Sequence, residues 1–208
     1  MAGAPRIDSD EIHAELYAEL LALPEHVTGE IIAGELFASP RPAVAHARAA
    51  TRVTTRIAGA YDEPNDVGPG GWIILVEPEL HLGQDVLVPD IAGWRVERLP
   101  NPRDLVAIDV APDWVCEIAS PSTAHRDRGV KRDAYAHAGV AWLWLVDPAA
   151  ETLEAFELRG ERWLLVGTWT GDTTVRVPPF EAAEIVLAHV WGRAAASEAE
   201  PESGPVER

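Results

Sequence analysis

Residues 112–148 read PDWVCEIASPSTAHRDRGVKRDAYAHAGVAWLWLVDP, and the reading of this stretch decides the fold. The apolar run from Trp114 to Ala119 has the length and the bulky residues of a buried strand. Pro121 ends it, because proline has no N–H to donate to a ladder. Ser122 or Thr123 can cap a new helix with a hydroxyl, and Asp127 falls in or near the first turn, where a carboxylate is favoured. That helix is expected to run to about Ala138, with Gly139 closing it. A second apolar strand, Ala141 to Val146, stops at Asp147 and Pro148. Strand, helix and strand within roughly 37 residues match the size of a crossover unit.

Two residues here do not suit a plain core. Glu117 puts a carboxylate in the middle of an apolar strand, which is costly unless a cation or donor meets it. Lys131 is the single lysine of a chain with sixteen arginines. A compact ammonium suits acid/base or charge-stabilising work better than a guanidinium does. The plainer reading is a helix-surface lysine paired with Asp127 at i,i+4.

Outward from this stretch, the 208 residues are enough for one domain with a sizeable core, expected over 1–194. Residues 195–208 form an acidic Ala/Ser/Glu/Pro tail, expected to be disordered. No apolar run approaches the ~20 residues that span a bilayer. The N-terminus is acidic and lacks the apolar core of a signal peptide, so a cytoplasmic protein with no membrane partner is expected. Cys116 is the only cysteine, which excludes an internal disulfide and a cysteine-based zinc site. It alternates with Glu117 and is expected to pack on the opposite face as a small hydrophobe.

The formal net charge of −17 argues against a protein that coats nucleic acid. The charge is uneven, however. Between Leu36 and Tyr61 there is no acid, but four arginines. Arg48, Arg52 and Arg56 recur at helical spacing and read either as a solvated face or as a basic stripe for phosphates.

Helices are expected over Asp8–Leu23 and Ala43–Tyr61, the second with His46 in its first turn as a structural residue. Glu30–Ser39 reads as a hairpin turning at Ala33-Gly34. Strands are expected at Trp72–Val76, Glu79–Leu82 and Val86–Trp94. Pro89-Asp90 interrupts the last of these and aims a carboxylate out of the pleat. Residues 95–111 read as a loop. A β-meander is expected over Thr152–Leu158, Arg162–Trp169 and Thr173–Val177, then a last helix over Glu181–Trp191. The fold class is α/β, with a mixed central sheet flanked by helices and a C-terminal meander. Of the eight tryptophans, those in strands read as core packing.

Asp90 and Glu117 are carboxylates on separate apolar strands, and neighbouring strands lie ~4.8 Å apart. They can therefore share a hard divalent cation, which takes oxygen ligands. Lys131 can swing back over the strand end towards the same point.

Pro89-Asp90, then CEIASPST (116–123), then Asp127, Lys131 and Tyr135, then AGVAWLWLVDP (138–148), resemble the Uma-type restriction endonuclease family of the PD-(D/E)XK nuclease superfamily. The resemblance covers about residues 25–190, including GELFASP (34–40). It implies a restriction-endonuclease-like fold and cleavage of DNA with Mg²⁺, or Mn²⁺ in its place. It makes Asp90 and Glu117 the metal-holding acids. The superfamily's usual lysine, two residues after the second acid, is replaced by Ala119, and Lys131 on the next helix fits the shifted position. Glu35 is a weaker candidate for an additional acid. Asp127 reads mainly as Lys131's helical partner, and Tyr135 as packing against or orienting that lysine. Cutting two strands makes a homodimer a further expectation. Two other functions fit the residues: a catalytically inactive nuclease-like scaffold that binds a protein partner, and a phosphohydrolase for small nucleotides.

Overall fold

The structure is a computed structural model, and it describes residues 9–63, 68–99, 101–120 and 126–193. The expected caps Ser122 and Thr123, and the tail, lie outside the described residues. The element order begins with helix α1 (Ser9–Leu21) and the hairpin β1 (Val27–Ile32) and β2 (Glu35–Pro40). Ala33 and Gly34 both have positive φ, 51° and 77°, the requirement of a two-residue hairpin turn. Helix α2 (Val44–Tyr61) follows, then β3 (Trp72–Val76), β4 (Leu80–Leu82), β5 (Asp85–Leu87) and β6 (Ile91–Arg95).

The crossover unit is present. Strand β7 (Trp114–Ile118) leads through helix α3 (Arg132–His137) to β8 (Trp142–Asp147), and β7 and β8 pair in parallel. Gly139, at φ 77°, ends α3 as its spacing predicts, and the Val140 N–H reaches back to the Tyr135 carbonyl at 3.0 Å. The helix does not start as one smooth cylinder, however. Asp127–Lys131 form a wide π turn, and Gly129 departs from helical dihedrals at φ −110°, ψ −107°. Glycine makes this affordable, and such a turn re-aims the side chains that follow it. Trp163 Nε1 donates to the Arg132 carbonyl at 2.9 Å, and Arg128 pairs with Glu154, so two strands beyond β8 pin the turn in place.

Those strands are β9 (Thr152–Arg159) and β10 (Arg162–Thr170), and with β8 they make the C-terminal meander. The expected third strand leaves it. β11 (Thr174–Val175) pairs instead with β12 (Ile185–Val186) in a small separate sheet. This takes residues 185–186 out of the expected last helix, which shrinks to α4 (Leu187–Val190). The β-branched pair Ile185-Val186 favours the ladder, and Arg176 donates to the Glu181 carbonyl and pairs with Glu184, holding the intervening turn open.

The large sheet is mixed, in the order β10-β9-β8-β7-β6-β3, and a second, antiparallel sheet runs β2-β1-β5-β4. Alternation along β7 divides the core between the two faces of the large sheet. Trp114, Cys116 and Ile118 point to the side covered by α2 and α4, where Phe180 packs among Tyr61, Trp72, Trp114 and Trp144. Val115 points to the other side, towards Tyr135 of α3 and towards Ile32 and Leu87 of the second, antiparallel sheet. Glu117 shares that second face. Residues 88–90 carry the chain from the second sheet into the large one, so Pro89-Asp90 marks the crossing.

Candidate active site

Asp90, Glu117 and Lys131 line one cleft of about 300 Å³, at the junction of the two sheets. The crossing places Asp90 beside the end of β7. Its Oδ2 accepts the Ile118 N–H at 2.6 Å, one residue after Glu117, and its Oδ1 lies 3.0 Å from His46 Nε2. Glu117 is buried. Its Oε1 accepts Lys131 Nζ at 2.7 Å and the Tyr135 hydroxyl at 2.5 Å. Both donors use the same oxygen, and Glu117 is among the residues that line the cleft.

Lys131 is itself buried. Its ammonium lies 2.9 Å from Glu30 Oε1 and 3.3 Å from the Val88 carbonyl. Glu30 then serves as a bracket. Its Oε1 also accepts the Val88 N–H at 2.9 Å, and its Oε2 lies 3.2 Å from Arg126 Nη2. Arg126 in turn donates to Ser39 Oγ at 2.8 Å and lies over the Phe37 ring. Asp127 is buried in the π turn on the cleft wall.

Five carboxylates line this cleft, Glu30, Glu77, Asp90, Glu117 and Asp127, against the cations Lys131, Arg126 and Arg41. The surplus of negative charge contributes to raising the proton affinity of Glu117, Lys131, His46 and Tyr135. Burial pushes the Glu117 carboxyl well above its usual range, with Asp127, Asp90 and Glu30 adding to this and Lys131 opposing. Burial works against the Lys131 ammonium, but Glu117, Glu30, Asp127 and Asp90 outweigh it and raise its pKa. Burial likewise disfavours a charged His46, and the hydrogen bond and charge of Asp90 override it upward, with Asp127 and Glu77 helping. The Tyr135 phenol is pushed well up, by burial and then by Glu117 and Glu30.

The other expected residues fall elsewhere. Glu35 is exposed at the hairpin turn and does not line the cleft; the N-terminal acid that does is Glu30, on the facing strand. Tyr135 orients Glu117 rather than the lysine. Arg48, Arg52 and Arg56 are exposed on α2. At ~100° per residue they point away from the helix face bearing His46, Ala47 and Ala50, and Arg48 lies against Gly192 near α4. None of the three lines the cleft. His46, read from sequence as structural, touches Asp90. Glu30, His46 and Arg126 carried no sequence signal of their own, since each gains its partner from more than forty residues away. Only the isolation of Glu30 among apolar residues in EIIAGELF hinted at a buried role.

An oxygen-donor cation fits what is present. Asp90 and Glu117 offer carboxylate oxygens at one wall of an acid-rich cleft, and Mg²⁺ is commonly held by one or two carboxylates together with waters and substrate oxygens. Among the described residues, no three His, Cys, Asp or Glu side chains are grouped to hold an ion by themselves. Among them too, no helix is long and apolar enough to cross a membrane.

Comparison with known proteins agrees with this architecture. The Uma2 family model, described as "Putative restriction endonuclease", matches residues 14–188. The fold is similar to the crystal structure of a putative nuclease belonging to DUF820 from Anabaena variabilis, with a TM-score of 0.68 and 22% identity over 84% of this chain and 96% of that one. No curated protein matches the chain.

Proposed function

The chain belongs to the Uma2 family of restriction-endonuclease-like proteins, and from that premise we propose that it hydrolyses phosphodiester bonds in DNA with the help of Mg²⁺. What carries this reading is one observation: Asp90, Glu117 and Lys131, distant in sequence, line the same cleft. Asp90 and Glu117 would hold the ion. When bound, Mg²⁺ supplies a Lewis acid for the phosphate oxygens and a more acidic water.

The protein's own residues do the rest. Lys131 offers a fixed positive charge and N–H donors beside Glu117. Its raised proton affinity suits it to stabilising charge that develops on the phosphate, rather than to taking a proton from water. Tyr135 holds Glu117 by Oε1 and so fixes the carboxylate in place. His46 and the Ile118 N–H fix Asp90 in orientation. Arg41 and Arg126 line the cleft and would hold phosphate oxygens, Arg126 in a plane set by Glu30. Arg48, Arg52 and Arg56 would meet only phosphates remote from the cut. Cleavage of both strands would call for a second copy of the chain.

The test is nicking of supercoiled plasmid by the purified protein. Cleavage is expected with Mg²⁺ or Mn²⁺, none with a chelator, and none from Asp90→Asn or Glu117→Gln at either ion. Undiminished nicking by either variant refutes the assignment. A second reading, a scaffold that no longer cuts, draws on the engagement of both Asp90 oxygens within the protein. Calorimetric titration with Mn²⁺ separates the two, because a scaffold shows no binding that depends on Asp90 and Glu117.

A further inference from the structure

A second hollow, of about 350 Å³, opens off the cleft along α2. The two share Pro42, His46, Glu77 and Asp90. One wall is the helix face carrying Ala47, Ala50, Thr51 and Thr54; the other is Val76, 54% exposed at the end of β3. The helical spacing stacks these small side chains on one face, which is why the wall is recessed. No arginine or lysine lines it. The Thr51 hydroxyl is turned back onto the Ala47 carbonyl at 2.8 Å, whereas the Thr54 hydroxyl oxygen is buried and has no partner.

We propose that this hollow is a nucleoside subsite, which takes the unstacked base and sugar attached to the phosphate at Asp90 and Glu117. The inference rests on the nuclease reading above. A group esterified to a phosphate there meets the hollow directly, because the two spaces share Asp90 and His46. No arginine or lysine lines the hollow while the carboxylates of Glu77 and Asp90 do, which disfavours a second phosphate as the occupant. Small apolar walls with Val76 opposite them suit the flat face of a base, and the Thr54 hydroxyl is a hydrogen-bonding group that no protein atom takes up. A base in a duplex is paired and stacked and cannot enter, so it must be single-stranded or turned out of its helix. The chain's net charge of −17 and the placement of Arg48, Arg52 and Arg56 away from the cleft give no broad footprint for an intact duplex. The substrate class is therefore single-stranded or locally opened nucleic acid.

The experiment uses the full chain, Ala47→Phe to fill the hollow and Thr54→Val to remove the hydroxyl without changing its shape. Ala47 is exposed on its helix, so the larger side chain is tolerated by the fold. Binding of 5′-fluorescein-labelled (dT)20, alone and annealed to (dA)20, is followed by anisotropy with Ca²⁺ replacing Mg²⁺. Single strand is expected to bind at least tenfold more tightly than duplex, with Ala47→Phe removing at least tenfold and Thr54→Val about threefold of the single-strand affinity. Equal binding of the two forms, or single-strand affinity unchanged in both variants, overturns the subsite. Hydrolysis of bis(4-nitrophenyl) phosphate, which has no nucleoside, is measured alongside with Mn²⁺. A protein that hydrolyses it yet binds both DNA forms alike keeps the nuclease reading and loses the subsite. One that discriminates through Ala47 and Thr54 but hydrolyses nothing keeps the subsite and loses the nuclease.

Discussion

Lys131→Met should destabilise the protein strongly, and by an amount that depends on pH. The side chain is 3% exposed, and its ammonium lies 2.9 Å from Glu30 and 2.7 Å from Glu117. Methionine keeps most of the stem's packing but leaves both carboxylates facing a neutral group in a buried setting. Removing one partner of a buried ion pair typically costs about 3–5 kcal/mol. Against a total of roughly 5–15 kcal/mol for a domain, that is a large share. At about 2–4 °C per kcal/mol for a chain of this length, the melting temperature should fall by roughly 6–20 °C. The sign of the pH effect follows from Glu117. Burial already raises its folded-state pKa well above the ordinary carboxyl value, and Lys131 opposes the rise. Without the ammonium the pKa climbs further. A carboxyl whose folded pKa exceeds its unfolded one has its stabilising contribution in full below the unfolded pKa, and loses it as pH rises through the folded value. The deficit of the variant should therefore be largest at pH 8 and shrink as pH falls towards ~4.3, the usual glutamate value. Urea unfolding of wild type and variant at pH 8 and pH 5 measures it. Adding Glu117→Gln to Lys131→Met should recover stability at pH 8, since it removes the stranded charge. A deficit under about 1 kcal/mol, or one equal at both pH values with no recovery in the double variant, would refute the reasoning.

Three further outcomes are expected. Tyr135→Phe removes the hydroxyl that Glu117 accepts at 2.5 Å; it should cost about 1.5–3 kcal/mol and reduce nicking, as read by urea unfolding and the plasmid assay. Phe180→Ala empties the meeting point of four aromatic rings and should cost about 3–5 kcal/mol, measured by thermal unfolding, with the metal-binding constant unchanged. The Cys116 thiol is buried, and burial, with Asp90 and Glu117, raises its pKa well above the usual value. Ellman's reagent should therefore react only on unfolding, and stability should decline as pH rises past ~8.5, where the unfolded thiol ionises.

Local pattern carried much of the fold. The crossover at 112–148 was legible because an apolar run, a proline stop, a glycine end and a second apolar run follow one another within a short span. Glu117 and Lys131 stood out by being of the wrong kind for their surroundings. What escaped was non-local. Glu30 looks like any strand acid until the end of β5 brings the Val88 N–H to it and the π turn brings Lys131. His46 sits in an unremarkable first turn, and only the crossing at Pro89-Asp90 gives it a role. Glu35, one hairpin residue past the turn, has the same composition around it as Glu30 but faces solvent. Ile185-Val186 continued a helical pattern in sequence and was drawn off by a ladder with Thr174-Val175. The π turn at Gly129 is a similar case, since a single glycine in a helical stretch gives no indication of which way the backbone will yield.

The lone lysine adds an ionic tie to two sheets that already share an apolar core: Glu30 belongs to the smaller and Glu117 to the larger. The full constellation therefore exists only where the two sheets are docked, since neither sheet alone holds both carboxylates. Separating the sheets would leave one of the two carboxylates without its ammonium, so the state of this cleft reports on how the sheets are docked.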